Sequence, residues 1–126
     1  MKHPAWNPYL PLWEYVPDGE PHVFEGRVYV YGSHDRFDGD AYCLNDYVGW
    51  SAPVEDLSDW RYEGVLYRRR DDPRNADGSQ KLFAPDVARG PDGRYYLYYA
   101  LNQTSAVSVA VCDTPAGRYR YYGTVA

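Results

Sequence analysis

Helical periodicity is what this 126-residue sequence lacks most. Apolar residues at three- and four-residue spacing are almost absent, which argues against a helical fold. Long apolar runs are missing too, and with them any membrane-spanning helix. Cysteine occurs only at Cys43 and Cys112, which match no metal-binding spacing, so both are expected as free, buried small residues. Three scattered histidines do not make a metal site either. Positive charge is scarce. The formal net charge is −5, and the one basic cluster, Arg68, Arg69 and Arg70, is followed directly by Asp71 and Asp72. Nucleic acid is therefore excluded as an expected partner. No apolar segment follows Met1-Lys2-His3-Pro4, so no signal peptide is visible. The compartment stays unknown, with the cytoplasm favoured unless an export signal lies outside the sequence.

What the sequence has in excess is aromatic residues, at 17 %, with 15 tyrosines among them. Tyrosine favours strands, packs its ring while keeping its hydroxyl wet, and suits stacking on sugar faces. The strand signals are clear. "HVFEG" and "RVYVYGS" alternate around Glu25-Gly26 and predict a β-hairpin. "VARGPDGRYYLYYAL" predicts a second one around Gly-Pro-Asp-Gly. "NDYVGWSA", "WRYEGVLY", "AVSVAVCD" and "RYRYYGTV" read as four further strands.

These segments form an internal repeat. Pro21-His22-Val23 corresponds to Pro85-Asp86-Val87, and Gly26 to Tyr31 corresponds to Gly93 to Tyr98. Trp50 to Pro53 corresponds more loosely to Cys112 to Pro115, and Trp60 to Gly64 corresponds to Tyr119 to Gly123. Each unit is a set of four short strands over roughly 60 residues, which is the pattern of a propeller blade. The expected organisation is all-β, a single partial β-propeller domain of about two four-stranded blades over residues 1–126. Within it, 1–17 is an N-terminal segment, 18–67 blade one, 68–82 a polar linker rich in Asp and Arg, and 83–126 blade two. A ring closes with roughly four to eight blades, so neighbour-facing surfaces are expected to be exposed. The ending "YYGTVA" stops where a third blade would begin, and the sequence reads as a truncated propeller or as a unit that assembles with its own copies.

At this point the residues resemble the family 43 glycoside hydrolases, five-bladed propellers that include β-xylosidases, α-L-arabinofuranosidases and endo-acting arabinanases and xylanases. Two signatures carry the resemblance. One is an acid, a strand, a Gly turn and a "YxY" strand, here Asp18 through Tyr31. The other is Ala84-Pro85-Asp86-Val87 ahead of the "DGRYYLYY" strand, Asp92 to Tyr99. Ser33-His34-Asp35 and "WSAPVEDLSDW" are lesser matches. The resemblance spans essentially the whole chain. It implies hydrolysis of O-glycosyl bonds in xylose- or arabinose-containing plant polysaccharide with inversion: one carboxylate as general base on a water, a protonated acid at the leaving oxygen, and a third carboxylate tuning that acid.

Carried over residue by residue, Asp18 looks like the general base, because its spacing to Tyr29 fits the family pattern without a gap. The usual Asp-Pro dipeptide is replaced by Asp18-Gly19-Glu20-Pro21, so a shifted alignment puts Glu20 there instead. Asp86 looks like the pKa-tuning carboxylate. The general acid belongs to a third blade and has no matching position, so the resemblance implies little or no hydrolysis by this chain alone. His34 and Asp35, at the end of a strand on the same rim, and Phe83, just ahead of the Asp86 signature, are candidate substrate contacts. No cofactor or metal is expected. Some family members hold a cation on the propeller axis, but through residues of later blades.

Plainer readings exist for the same residues. Asp18 follows Pro17 and also reads as turn chemistry, and Asp86 as a turn cap. His22 reads as packed rather than as a ligand. Trp50 and Trp60 read as blade packing, and Trp6, Tyr9, Trp13 and Tyr15 as packing or as the lining of a sugar subsite. Asn45 and Asn102 have the chemistry to bond sugar hydroxyls, but nothing singles them out. The alternative function is a non-catalytic module that binds carbohydrate or protein through aromatic loops and self-associates. The expected partners are an oligosaccharide or polysaccharide and, through exposed blade faces, a homo-oligomer, with no membrane.

Overall fold

The computed structural model describes residues 7–125, so Trp6 lies outside the described residues. It is all-β apart from two single-turn 3-10 segments at Arg69–Asp71 and Pro73–Asn75. Strands β1 (Glu20–Phe24), β2 (Arg27–His34), β3 (Asn45–Pro53) and β4 (Arg61–Tyr67) form one antiparallel sheet in chain order. Strands β5 (Leu82–Arg89), β6 (Tyr95–Leu101), β7 (Val107–Cys112) and β8 (Arg120–Val125) form a second sheet in the same order. Two four-stranded meanders stacked face to face are two propeller blades, fewer than a closed ring needs. Among the described residues no helix is long and apolar enough to cross a membrane.

The hairpins arise from local chemistry. Glu25 and Gly26 take φ of 51° and 76°, the pair of left-handed residues that a two-residue turn between twisted strands requires. Phe24 and Arg27 close that turn as register partners. The alternation of β2 and β6 then decides the stacking. Tyr29 and Tyr31 of β2 meet Tyr95, Leu97, Tyr99 and Leu101 of β6 in one core, joined by Tyr47, Leu66 and Tyr67. A fully buried Leu such as Leu66 or Leu97 contributes roughly 1.5–3 kcal/mol.

So many buried tyrosines are tolerable only if their hydroxyls are bonded, and they are. The Tyr31 and Tyr119 hydroxyls donate to the Pro115 carbonyl at 2.8 and 2.7 Å. Tyr47 donates to the Phe83 carbonyl at 2.7 Å, and Tyr67 and Tyr99 share a bond of 2.8 Å. Burial pushes Tyr31, Tyr99 and Tyr119 above the ordinary phenol range, which keeps them as protonated donors. Among the described residues no buried side-chain N or O lacks a partner.

Two segments without strands are also fixed. Residues 7–17 lie against the first sheet, with Tyr9 on Trp60 at 5.0 Å and Trp13 on Trp50 at 5.7 Å between ring centroids. The Glu14 carboxylate, 2 % exposed, accepts from Trp50 Nε1 at 2.7 Å and pairs with His34 Nε2 at 2.5 Å. In the connection between the sheets, the fully buried Asp72 accepts from Arg74 Nη2 at 2.6 Å and from the Tyr99 hydroxyl at 2.6 Å. Asn75 donates to the carbonyls of Arg69 and Gln80. The polar composition that reads as a linker is thus a docked clamp.

Candidate active site

Antiparallel pairing puts the start of β1, the end of β2, the start of β3, the end of β4 and the start of β5 at one end of the stack, as the pairs Glu20–Tyr31, His34–Asn45, Tyr47–Tyr67 and Leu82–Leu101 record. β1 and β5 are the first strands and the edges of their sheets, and they approach each other. At that junction Pro17, Asp18, Gly19 and Glu20 from the first sheet meet Ala84, Pro85 and Asp86 from the second around a hollow of about 380 Å³. Two neighbouring carboxylates, Asp18 and Glu20, and a sequence-distant third, Asp86, therefore share one small, open site. A larger hollow of about 640 Å³ lies on the outer face of the second sheet, lined by Tyr96, Tyr98 and Tyr122, with Asp92 as its single carboxylate. The smaller hollow is where acid–base chemistry has its groups.

The backbone at this hollow departs from regular strand geometry. Ala84 takes φ of 43°, a left-handed conformation disfavoured for a residue with a Cβ, and it does so directly before Pro85. The β5–β6 register slips between Phe83 and Asp86. Such bulges re-aim side chains and concentrate near functional sites. Here the bulge leads straight into Asp86.

Each carboxylate has its own surroundings. Asp18 Oδ2 accepts a hydrogen bond from the buried Ser33 hydroxyl at 3.0 Å. Asp86 Oδ1 is held by His22 Nε2 at 2.5 Å and by the Val87 backbone N–H at 2.9 Å. The Glu20 carboxylate makes no hydrogen bond or ion pair among the described residues.

The other expected contacts stand elsewhere. His34 lines a separate hollow with Arg36, Asn45 and Arg69, and its Nε2 is committed to Glu14. Asp35 Oδ1 accepts the Cys43 backbone N–H at 2.7 Å, so this carboxylate organises its own loop. Phe83 is half-buried, its carbonyl engaged by Tyr47, and it does not line the hollow of the three carboxylates. Asn45 and Asn102 bond loop backbone, at the Asp35 carbonyl and the Lys81 N–H. Tyr9, Trp13 and Tyr15 stack on Trp60, Trp50 and Phe37 while remaining exposed on one side. Among the described residues no cluster of three His, Cys, Asp or Glu side chains is arranged to hold a metal ion.

The sequence marks Ser33 only as part of Ser33-His34-Asp35, reads His22 as packed, and does not single out Glu14. Period-two alternation along β1 places Glu20, His22 and Phe24 on one face, which was a usable signal for His22. Glu14 lies in a segment without periodicity, and no pattern in the sequence marks it.

Comparison with known proteins follows this geometry. The pattern of the family described as "Glycosyl hydrolases family 43" matches residues 21–126. A "Xylosidase/arabinosidase" of Thermoclostridium stercorarium is 70 % identical over 125 residues, covering 99 % of this chain and 26 % of the relative. "Xylosidase/arabinosidase 43A" of Humicola insolens is 35 % identical over 119 residues, covering 83 % of this chain and 34 % of the relative. Among solved structures, a GH43_1 enzyme from Xanthomonas citri complexed with xylose superimposes with a TM-score of 0.71 at 29 % identity, covering 86 % of this chain and 32 % of that one. The chain thus spans about a quarter to a third of the length of the relatives it matches.

Proposed function

The chain belongs to glycosyl hydrolase family 43, and from that membership we propose that it contributes the general base and the tuning carboxylate for inverting hydrolysis of glycosidic bonds in xylose- and arabinose-containing polysaccharide. The meeting of Asp18, Glu20 and Asp86 in one hollow at the blade junction carries this reading. Relatives named as xylosidases and arabinosidases support the substrate class. In this reading the chain is one partial propeller domain, with blade one at 18–67, blade two at 83–126, the segment 68–82 between them and 1–17 ahead.

Asp18 is the base. Ser33 binds its Oδ2, which leaves Oδ1 to take the proton of a water. That water attacks the anomeric carbon as the bond to the leaving oxygen breaks, and the leaving oxygen takes its proton from an acid outside this hollow. Asp86 supplies negative charge near that acid and keeps its proton on until it is needed. Because the acid is not among these residues, the chain alone is expected to hydrolyse little or nothing.

The test places this chain in the 70 %-identical relative, in exchange for the matching 125 residues, and follows turnover of aryl β-xyloside and aryl α-L-arabinofuranoside. Asp18→Asn is expected to lower kcat by roughly 10²–10⁴-fold, with Glu20→Gln far milder. Collapse in Glu20→Gln instead would move the base to Glu20. Full activity in Asp18→Asn, Glu20→Gln and Asp86→Asn alike would end the reading.

A second reading concerns partners. The outer face of the second sheet exposes Tyr98 at 38 % and Tyr122 at 58 %, beside Val125. A contiguous apolar face of this kind favours association with a second copy of the chain.

A further inference from the structure

The hydrogen bond that crosses from one blade to the other at the hollow has a role of its own. His22 sits in β1 of the first sheet and Asp86 in β5 of the second, and His22 Nε2 lies 2.5 Å from Asp86 Oδ1. We propose that His22 is a positioning residue for Asp86, fixing from the neighbouring blade the carboxylate that β5 cannot fix alone. The proposal rests on the reading of Asp86 as a carboxylate of the reaction.

Three observations carry it. First, β5 is irregular at this point. Its register slips between Phe83 and Asp86, Ala84 is left-handed, and regular pairing resumes only at Asp86 opposite Tyr98, which places the Asp86 backbone and leaves its side-chain rotamer to other partners. Its only tether from its own strand is the Val87 N–H, which bonds the same Oδ1.

Second, the imidazole is itself held. It stacks on Phe24 at 5.7 Å with 19° between planes and lies 6.4 Å from Tyr31, while Phe24 packs edge-on to Tyr95 at 5.1 Å. The side chain of His22 is 33 % exposed and that of Asp86 60 %. The less exposed ring thus anchors the more exposed carboxylate.

Third, both donors converge on Oδ1, and Oδ2 has no partner among the described residues. One oxygen serves orientation and the other is left without a partner on a residue that lines the hollow. Nε2 donates as the neutral Nε2–H tautomer or as imidazolium, so the tether does not depend on which is present. Catalytic groups need their geometry held to fractions of an ångström, and a partner that locks the rotamer is how rigid sites achieve this.

Two variants separate this role from packing, each made in the same exchanged protein. His22→Phe keeps a ring on Phe24 and removes the donor. His22→Gln removes the ring and keeps an N–H at a similar reach. The expected result is that His22→Phe loses roughly 10–100-fold in kcat with little change in KM, and that His22→Gln recovers most of it. The reverse order, equal losses accompanied by a lowered Tm, or no loss in either variant would overturn the proposal and leave His22 a packing residue. Asp86→Asn separates the two levels. If it leaves turnover intact, the role of Asp86 is what fails. The tether is then still decided by the Asp86 carboxyl ¹³C resonance in this chain, which is expected to move in His22→Phe and to stay in His22→Gln. A resonance indifferent to both variants would refute it.

Discussion

Glu14 shows what a single buried carboxylate does for this chain. Its side chain is almost fully enclosed, and its oxygens serve His34, the Trp50 indole and the Tyr15 N–H. Removing it would leave a buried indole N–H without its acceptor and undo the link between residues 7–17 and the first sheet. A buried donor stripped of its partner costs about 1–3 kcal/mol. Glu14→Ala is therefore expected to lower stability by about 2 kcal/mol or more, read as a shift in the urea midpoint, with Glu14→Gln closer to the parent. That Asp18 and Asp86 line one hollow was foreshadowed at this scale, because each lies in a sequence signature, Asp18 ahead of the "YxY" strand and Asp86 within Ala84-Pro85-Asp86-Val87. The bond of Ser33 to Asp18 and the role of Glu14 were not visible, because each is defined by a partner 15 to 36 positions away.

At the scale of elements, the strands were legible and the segments between them were not. Alternation in "RVYVYGS" and "RYYLYYAL" is enforced by a sheet with two different faces, so period two survives in the sequence. The connection 68–81 shows the opposite case. Its Asp and Arg residues suggest solvent, yet Asp72 is fully buried because Arg74 and Tyr99 satisfy it. Burial alone would raise the Asp72 carboxyl, but the hydrogen bonds from Arg74 and Tyr99 outweigh that and hold it below the usual carboxylate range. A carboxylate depressed in the folded state contributes stability above its unfolded value, and that contribution is lost as pH falls through the depressed value. The clamp is thus expected to be intact at pH 7 and to weaken below about pH 4. Arg74→Leu strands a buried charge and should cost about 3 kcal/mol at pH 7, moving acid unfolding to higher pH, as fluorescence-monitored titration would show. The N-terminal segment makes a second case. A Cβ on Gly32 would stand 1.9 Å from Val16 Cγ1, so Gly32→Ala should displace the segment and destabilise by about 1–3 kcal/mol in thermal melts.

For the whole molecule, the two sheets use equivalent positions differently. Tyr29 and Tyr31 of the first sheet are buried against the second, whereas their repeat counterparts Tyr96 and Tyr98 line the open hollow beside Tyr122. An exposed face made of residues that elsewhere form a core promotes association. The weight-average mass from light scattering is expected to rise with concentration, and Tyr98→Ser with Tyr122→Ser to suppress the rise. A mass equal to one chain at every concentration would count against self-association.

The two sheets among the described residues also carry a constraint of parity. Any closed ring assembled from whole copies of this chain has an even number of blades, since each copy brings two. The five-bladed ring of the family is odd and lies outside that series. A homo-oligomeric ring would therefore have a different circumference, and β1, which Asp18 precedes, and β5, which bears Asp86, would sit at a different distance from the strands across the ring. Self-assembly of this chain would cover the open face without reproducing the spacing of an odd ring.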